Sequence, residues 1–302
     1  MNIIKEKIKK LKEDKNIVIL AHYYVNGDIQ EIADYTGDSF YLSKLANTLE
    51  NNIIVYCGVS FMGESACLLN PEKSILMPDM NADCPMAHMV LKEQVDEMRK
   101  KYDDLAVVCY INSTVEIKSW SDVVVTSSNA VKIVKNLPNK NILFIPDRNL
   151  GEYISNQVKD KNFLFVEGYC PIHENIKEDE ILELKNKYKS AKVLAHPECR
   201  KEILKYADYI GSTTGIIEYA KNSDSNEFII LTEEGIRYEL EKENKDKKFY
   251  FTKTIPLCPD MKLVTLEKVL EVMEKETNKM EVCEEVGKQA KHTLERMMEL
   301  AK

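Results

Sequence analysis

The sequence predicts an α/β protein of three homologous three-layer αβα domains with parallel sheets, arranged around a pseudo-threefold axis. Three observations carry that expectation. A Cys-Pro dipeptide occurs at Cys84-Pro85, Cys170-Pro171 and Cys258-Pro259, at spacings of 86 and 88 residues. Apolar runs at Ile17 to Ala21, Leu105 to Cys109 and Ala191 to Ala195 each end at a polar side chain, His22, Tyr110 or His196, at spacings of 88 and 86. Between these markers every unit shows the same order of short apolar runs and helical stretches. Two independent markers at one period indicate a repeat architecture.

An amphipathic helix with Ile4, Ile8 and Leu11 on one face opens the chain. The first apolar run of each unit reads as a strand buried on both faces, because continuous runs of four or five apolar residues between helical stretches suit a covered parallel sheet. Roughly seventeen positions later come hydroxyl-bearing pairs, Asp38-Ser39, Ser127-Ser128 and Ser212-Thr213, each before a helical pattern. A second run follows (Ile53 to Tyr56, Ile142 to Ile145, Phe228 to Leu231), with a glycine beyond it at Gly63, Gly151 or Gly235. A third run (Ser74 to Met77, Asn162 to Val166, Lys248 to Phe251) leads to the Cys-Pro. There the period turns helical, with Leu91, Val95, Met98 and Tyr102, then Ile181, Leu184 and Tyr188, then Leu263, Leu266, Leu270 and Met273. Proline suits such a first turn, where its missing donor costs nothing. A last helix with Val282, Val286, Ala290, Leu294 and Met297 is expected to pack on the outside. The expected boundaries are 1–85, 86–171 and 172–259 for the repeats and 260–302 for the C-terminal helices.

Composition narrows the function. Of 302 residues 44% are hydrophobic and 30% charged, a globular balance. With 42 basic against 50 acidic side chains the formal charge is −8, which argues against nucleic acid or an anionic membrane as partner. No apolar run approaches the roughly 18 to 20 residues of a bilayer span. Met1 to Lys15 alternates Lys and Glu with Ile and is no signal peptide. Eight cysteines are dilute for a disulfide scaffold, so a reducing, cytoplasmic compartment is expected.

Parallel α/β units carry function at the carboxyl ends of strands and the amino ends of helices. His22, Tyr110, His196 and the hydroxyl pairs fall there, which predicts a central, three-walled pocket. If Cys84, Cys170 and Cys258 converge on it, three thiolates meet and need a cation. Zinc cysteines usually come in C-x₂-C pairs, absent here. A [4Fe–4S] cluster on three thiolates leaves one iron open as a Lewis acid. Each cysteine starts a helix, where thiolate is favoured. The alternative is three buried cysteines that merely precede proline.

The strings Ile19-Leu20-Ala21-His22-Tyr23-Tyr24, Ile32-Ala33-Asp34, Gly37-Asp38-Ser39, Ala82-Asp83-Cys84-Pro85-Met86-Ala87 and Cys109-Tyr110-Ile111-Asn112-Ser113 belong to a longer ordered series. It continues through Thr126-Ser127-Ser128-Asn129-Ala130, Pro146-Asp147-Arg148-Asn149-Leu150-Gly151, Gly168-Tyr169-Cys170-Pro171, His196-Pro197-Glu198-Cys199, Gly211-Ser212-Thr213-Thr214-Gly215 and Met261-Lys262. From about residue 17 to 272 the series resembles the quinolinate synthase family. The resemblance implies three α/β domains around a [4Fe–4S] cluster held by Cys84, Cys170 and Cys258. It implies condensation of iminoaspartate with dihydroxyacetone phosphate to quinolinate in NAD biosynthesis, with release of phosphate and two waters. The enzyme that supplies iminoaspartate is a candidate partner. Cys258 lacks the C-x₂-C-x₂-C setting of longer members, and Asp260 stands where the family has Asn.

By that resemblance Ser39, Ser127 and Thr213 bind substrate anions, whereas helix capping is the plainer use of such hydroxyls. His22 and His196, in register, hold a carboxylate or move a proton. Tyr24, Tyr110 and Asn112 supply donors, and Glu198, working with Tyr24, is the expected general acid/base. His88 and His173 follow cysteines and are left outside the expected site. Two other classes compete: an electron-transfer Fe–S protein with a fourth ligand among Cys57, Cys67, Cys109, Cys199 or Cys283, and a non-enzymatic anion-binding protein. A zinc lyase using His22, His196 and Cys is a further alternative.

Overall fold

In the computed structural model, which describes residues 2–302, each unit forms one four-stranded parallel sheet. The first holds β1 (Ile17–His22), β2 (Tyr35–Gly37), β3 (Ile53–Cys57) and β4 (Ser74–Leu76), in the order β2-β1-β3-β4. The second holds β5 (Leu105–Tyr110), β6 (Val123–Val125), β7 (Asn141–Ile145) and β8 (Asn162–Phe165), in the order β6-β5-β7-β8. The third holds β9 (Lys192–Ala195), β10 (Tyr209–Ile210), β11 (Glu227–Leu231) and β12 (Lys248–Tyr250), in the order β10-β9-β11-β12. All strand pairings within the three sheets are parallel, with helices in the connections, and one antiparallel bridge joins Leu76 of β4 to Lys279. Every residue of β1 and β5 is buried, which is why these strands read as continuous apolar runs.

The edge strands β2, β6 and β10 were not among the expected elements. Two or three residues are too few to show a period. What creates them is an aspartate just before each. The Asp34, Asp122 and Asp208 carboxylates accept the backbone N–H of Ile19, Val107 and Val193 at 2.8, 2.7 and 2.8 Å. Their own N–H groups donate to the carbonyls of the same three residues. These aspartates recur at the 88 and 86 spacing of the other markers. The pinned edge strands then deliver the hydroxyl-bearing segments to the carboxyl end of each sheet.

The closing helix, Glu284–Leu300, does more than cover the outside. It packs on the helix Ser60–Leu69 of the first unit and on the helix Val115–Ser119 and β6 of the second. Its buried residues, including Ala290, Leu294 and Met297, join the cores of those two units into one apolar cluster. Gly287 faces Leu68 at a distance where any side chain would crowd. The third unit keeps separate apolar layers, Ile216, Phe228 and Leu240 on one face of its sheet and Val193, Ile203 and Ile229 on the other. Among the described residues no helix is long and apolar enough to cross a membrane.

Leu294 is fully buried at this junction. Leu294→Ala should cost about 2 to 5 kcal/mol in urea denaturation. A loss under about 1 kcal/mol would show that the two cores do not depend on the helix.

Candidate active site

The carboxyl ends of the three sheets open on one cavity. His22, Tyr24, Ser39 and Cys84 line it from the first unit, and Tyr110, Asn112, Ser127 and Cys170 from the second. His196, Glu198, Thr213 and Cys258 complete it from the third. Each unit thus contributes four of the twelve side chains singled out in the sequence. Cys57, Cys67, Cys109, Cys199 and Cys283 do not line the cavity; Cys57, Cys109 and Cys199 are core residues and Cys283 is exposed.

Neighbours divide the capping and lining duties. Asp38 caps the helix Ser39–Ala46 by accepting from Tyr41 N at 2.9 Å, and Ser212 caps the helix Thr213–Asn222 by accepting from Gly215 N at 3.2 Å. In the second unit Asn129 Oδ1 accepts from Thr126 N, and the Thr126 and Ser128 hydroxyls pair. Ser39, Ser127 and Thr213 therefore carry no cap in this structure and face the cavity.

Burial sets the charges. It pushes the His22 imidazole down to about 3, against the opposing pull of Glu198, so the ring is neutral at pH 7. Its Nδ1 accepts from Tyr24 N at 3.1 Å, which leaves the proton on Nε2. Burial lowers His196 as well. Desolvation alone would raise the Glu198 carboxyl, but His173 and His196 outweigh it and hold the group well below the usual carboxylate range. Glu198 Oε2 lies 2.7 Å from His173 Nδ1 and 3.4 Å from His196 Nδ1. Burial, reinforced by Glu198, lifts the Tyr24 and Tyr110 phenols well above 10 and keeps them protonated.

These groups form a chain. Thr213 Oγ1 lies 2.9 Å from Tyr24 Oη, Tyr24 Oη 2.8 Å from Thr232 Oγ1, and Thr232 Oγ1 2.9 Å from His173 Nε2. With His173 Nδ1–H donating to Glu198, every hydroxyl in the chain can donate toward that carboxylate. Two buried atoms at the cavity are left without a partner, Glu198 Oε1 and Asn112 Oδ1. Both are acceptors. Unpaired buried acceptors are costly, so each is a position where a bound molecule would supply a donor.

His173, left outside the expected site, belongs to it. It is 1% exposed, and its Nδ1 is also 3.2 Å from Cys170 Sγ. Its spacing of three from Cys170, on a helix, was the available signal. Thr232 had none, because a threonine after a strand is common. His88 stays at the surface, 2.6 Å from Asp83.

The thiols are crowded by the same burial. It raises Cys84 and Cys170 strongly and Cys258 to about 11. Cys84 and Cys258 oppose each other's ionisation, as do Cys170 and Cys84, so the three sulfurs share one electrostatic neighbourhood. Backbone N–H groups at Ala87, His173 and Met261, each three residues on, favour the thiolate but do not win. One tight donor set, Cys170, His173 and Glu198, has its ligand atoms within 4.8 Å of one another. The 2.7 Å contact inside it is a hydrogen bond; two donors on one tetrahedral zinc stand roughly 3.3 Å apart.

Three parallel α/β units that surround a buried, thiol-lined cavity with acid/base side chains define an α/β enzyme acting on a small polar molecule. A family model described as "NadA: Quinolinate synthetase A protein" matches residues 6–299. The chain is 54% identical over 298 residues to the quinolinate synthase of Fusobacterium nucleatum subsp. nucleatum, covering 99% of each chain. It is 52% identical over 294 residues to that of Clostridioides difficile, covering 97% of each, and 47% identical over 300 residues to that of Caldicellulosiruptor bescii, covering 99% of each. The chain belongs to the quinolinate synthase family and is an enzyme of that type.

The depressed imidazole gives a pH dependence with a definite sign. The unfolded chain takes up a proton at His22 below about 6.5 while the folded chain resists until about 3, so stability is lost as pH falls through that window. At roughly 1.4 kcal/mol per unit the loss is on the order of 4 kcal/mol. Urea midpoints from pH 7.5 to 4 should fall, and His22→Asn should flatten the slope. An unchanged slope in the variant would mean that His22 is not the group responsible.

Proposed function

We propose that this chain condenses iminoaspartate with dihydroxyacetone phosphate to quinolinate, in the cytoplasm and in NAD biosynthesis, with a [4Fe–4S] cluster held by Cys84, Cys170 and Cys258. The reading treats the units 1–85, 86–171 and 172–259 as domains about a pseudo-threefold axis, with 260–302 as closing helices. One observation carries it. Three cysteines from three units share one buried cavity with two unpaired acceptors and a carboxylate held ionised. Thiols whose burial opposes ionisation become ligands when a cation repays the cost, and thiolate donors are what an iron–sulfur cluster uses.

When bound, the cluster would supply a Lewis-acidic iron that stabilises negative charge on a substrate oxygen or nitrogen. The sum of the reaction, two substrates giving quinolinate, one phosphate and two waters, balances without an oxidant or reductant. That favours Lewis-acid over electron-transfer use. The absence of any fourth cysteine from the cavity lining points the same way.

The chain's own groups account for the rest. Ser39, Ser127 and Thr213 offer hydroxyls beside helix amino termini to carboxylate or phosphate oxygens. Neutral His22, through Nε2–H, and the Tyr110 phenol donate to substrate oxygens without adding charge, while Tyr24, its hydrogen on Thr232, serves as the acid/base partner of Glu198. Glu198 Oε1, with no internal partner, takes a proton from substrate carbon or nitrogen and returns one to a departing hydroxyl. His173 and Thr232 join it to Tyr24, so a proton accepted at one end can be offered at the other. Buried walls keep water from the imine, which would otherwise hydrolyse. The enzyme that makes iminoaspartate is the natural partner for the same reason.

Protein purified without oxygen should carry iron and sulfide in a ratio near one. Cys84→Ser, Cys170→Ser and Cys258→Ser should each abolish visible absorbance and turnover together, and a variant that keeps both would remove that residue from the site. Iron-free protein with tightly bound zinc would favour the Cys170, His173 and Glu198 donor set instead. Glu198→Gln should lower kcat by about 10² to 10⁴ with little change in KM. Unaltered kcat would sink the acid/base assignment.

A further inference from the structure

Each cysteine's backbone N–H is held by a carboxylate. Cys84 N donates to Asp83 Oδ1 at 2.7 Å, Cys170 N to Asp147 Oδ2 at 3.2 Å, and Cys258 N to Glu233 Oε1 at 3.0 Å. A second tether repeats beside it. The N–H groups of Ser60, Arg148 and Glu234 donate to the carbonyls of Ala82, Gly168 and Pro256, each two residues before a cysteine, all at 2.8 Å. The two tethers sew the loops after β3, β7 and β11 to the loops that bear the thiols.

The carboxylates are not interchangeable accidents of one repeat. Asp147 and Glu233 occupy the same register position, one residue before the second tether. In the first unit that position is Val59, and there Asp83, next to the cysteine, takes over the bond while Ser60 Oγ donates to it at 2.5 Å. The sequence position moves but the carboxylate on the N–H remains. Asp147 is fully buried and Glu233 1% exposed, which is costly unless every oxygen is used. They are used: Asp147 Oδ1 accepts from Leu150 N at 2.7 Å, Glu233 Oε2 from Gly235 N at 2.6 Å, and Glu233 Oε1 also lies 2.9 Å from Lys262 Nζ. Lys262 in turn donates to Tyr24 O at 2.5 Å, tying the third ligand's clamp to the loop of the candidate acid/base pair.

We propose that Asp83, Asp147 and Glu233 are positioning residues that fix the three thiolate loops and thereby hold the bound cluster in one arrangement. This rests on the cluster reading above. Partners outside the ligands orient the ligands themselves, and here each thiol-bearing loop is pinned at the cysteine N–H and again two residues before it.

The test uses anaerobically purified holoenzyme of the parent, Asp83→Asn, Asp147→Asn and Glu233→Gln, with Glu174→Gln as a carboxylate control off the cysteine N–H groups. Each clamp variant should lose iron to a chelator about tenfold faster and broaden the electron paramagnetic resonance signal of the chemically reduced cluster, because its ligand loops are no longer held in one arrangement. Glu174→Gln should do neither. Clamp variants equal to the parent in both measurements, or a control that shifts as far, overturn the proposal. Parent protein without iron and sulfide overturns the cluster reading itself, before any variant is compared. Should the buried substitutions fail to fold, Asp83→Asn decides, since that side chain is 41% exposed.

Discussion

Crowding of acidic groups in one buried cavity is the constraint on which the rest of this structure depends. Cys84, Cys170, Cys258 and Glu198 share one space, and Glu198 opposes ionisation of Cys84, Cys170, Tyr24 and Tyr110 alike. In a low dielectric such charges cannot coexist without compensation. The protein keeps one of them, Glu198, by facing it with two imidazoles, and leaves the phenols neutral. The thiols are left as the groups whose ionisation a bound cation would favour.

Three sheets of identical strand order bring this about at modest cost in sequence. An aspartate pins each edge strand, the edge strand hands a hydroxyl to the cavity, and the loop after β3, β7 or β11 ties down the cysteine. Chemical difference then comes from departures within the repeat. The first unit ends its leading strand in His22, the second in Tyr110, and the third places His196 just after its strand, with a glutamate two residues on in the third alone. One of the three units thereby carries the buried carboxylate of Glu198.

Helix termini serve twice at this site. Asp38 and Ser212 satisfy the helix N–H groups, which frees the adjacent Ser39 and Thr213 for the cavity. The short turns after Cys84 and Cys170 begin with proline and aim N–H groups at sulfur. The helix Glu284–Leu300 sits far from this chemistry in sequence, yet it fuses the first two units into one core. The third unit, with its own core, supplies Glu198 and Thr232.

The period of the sequence alone pointed to the three parallel sheets, the strand ends that face the site, the three cysteines and the hydroxyl pairs; the choice among those hydroxyls, and Tyr24, Asn112 and Glu198, followed from resemblance to the family. A repeat with continuous apolar runs leaves few other ways to bury them. It did not determine the edge strands, which are too short to have a period, although Asp34, Asp122 and Asp208 marked them. His173 left only its spacing from Cys170 as a trace, and Thr232 and the carboxylates of Asp147 and Glu233 left none, because those roles join segments distant in the chain. Tyr24 meets Thr232, and Glu233 meets Lys262 and Cys258, only after the loops have folded together. Hydrogen bonds a few ångströms long depend on three-dimensional neighbours, and local residue patterns carry no record of them.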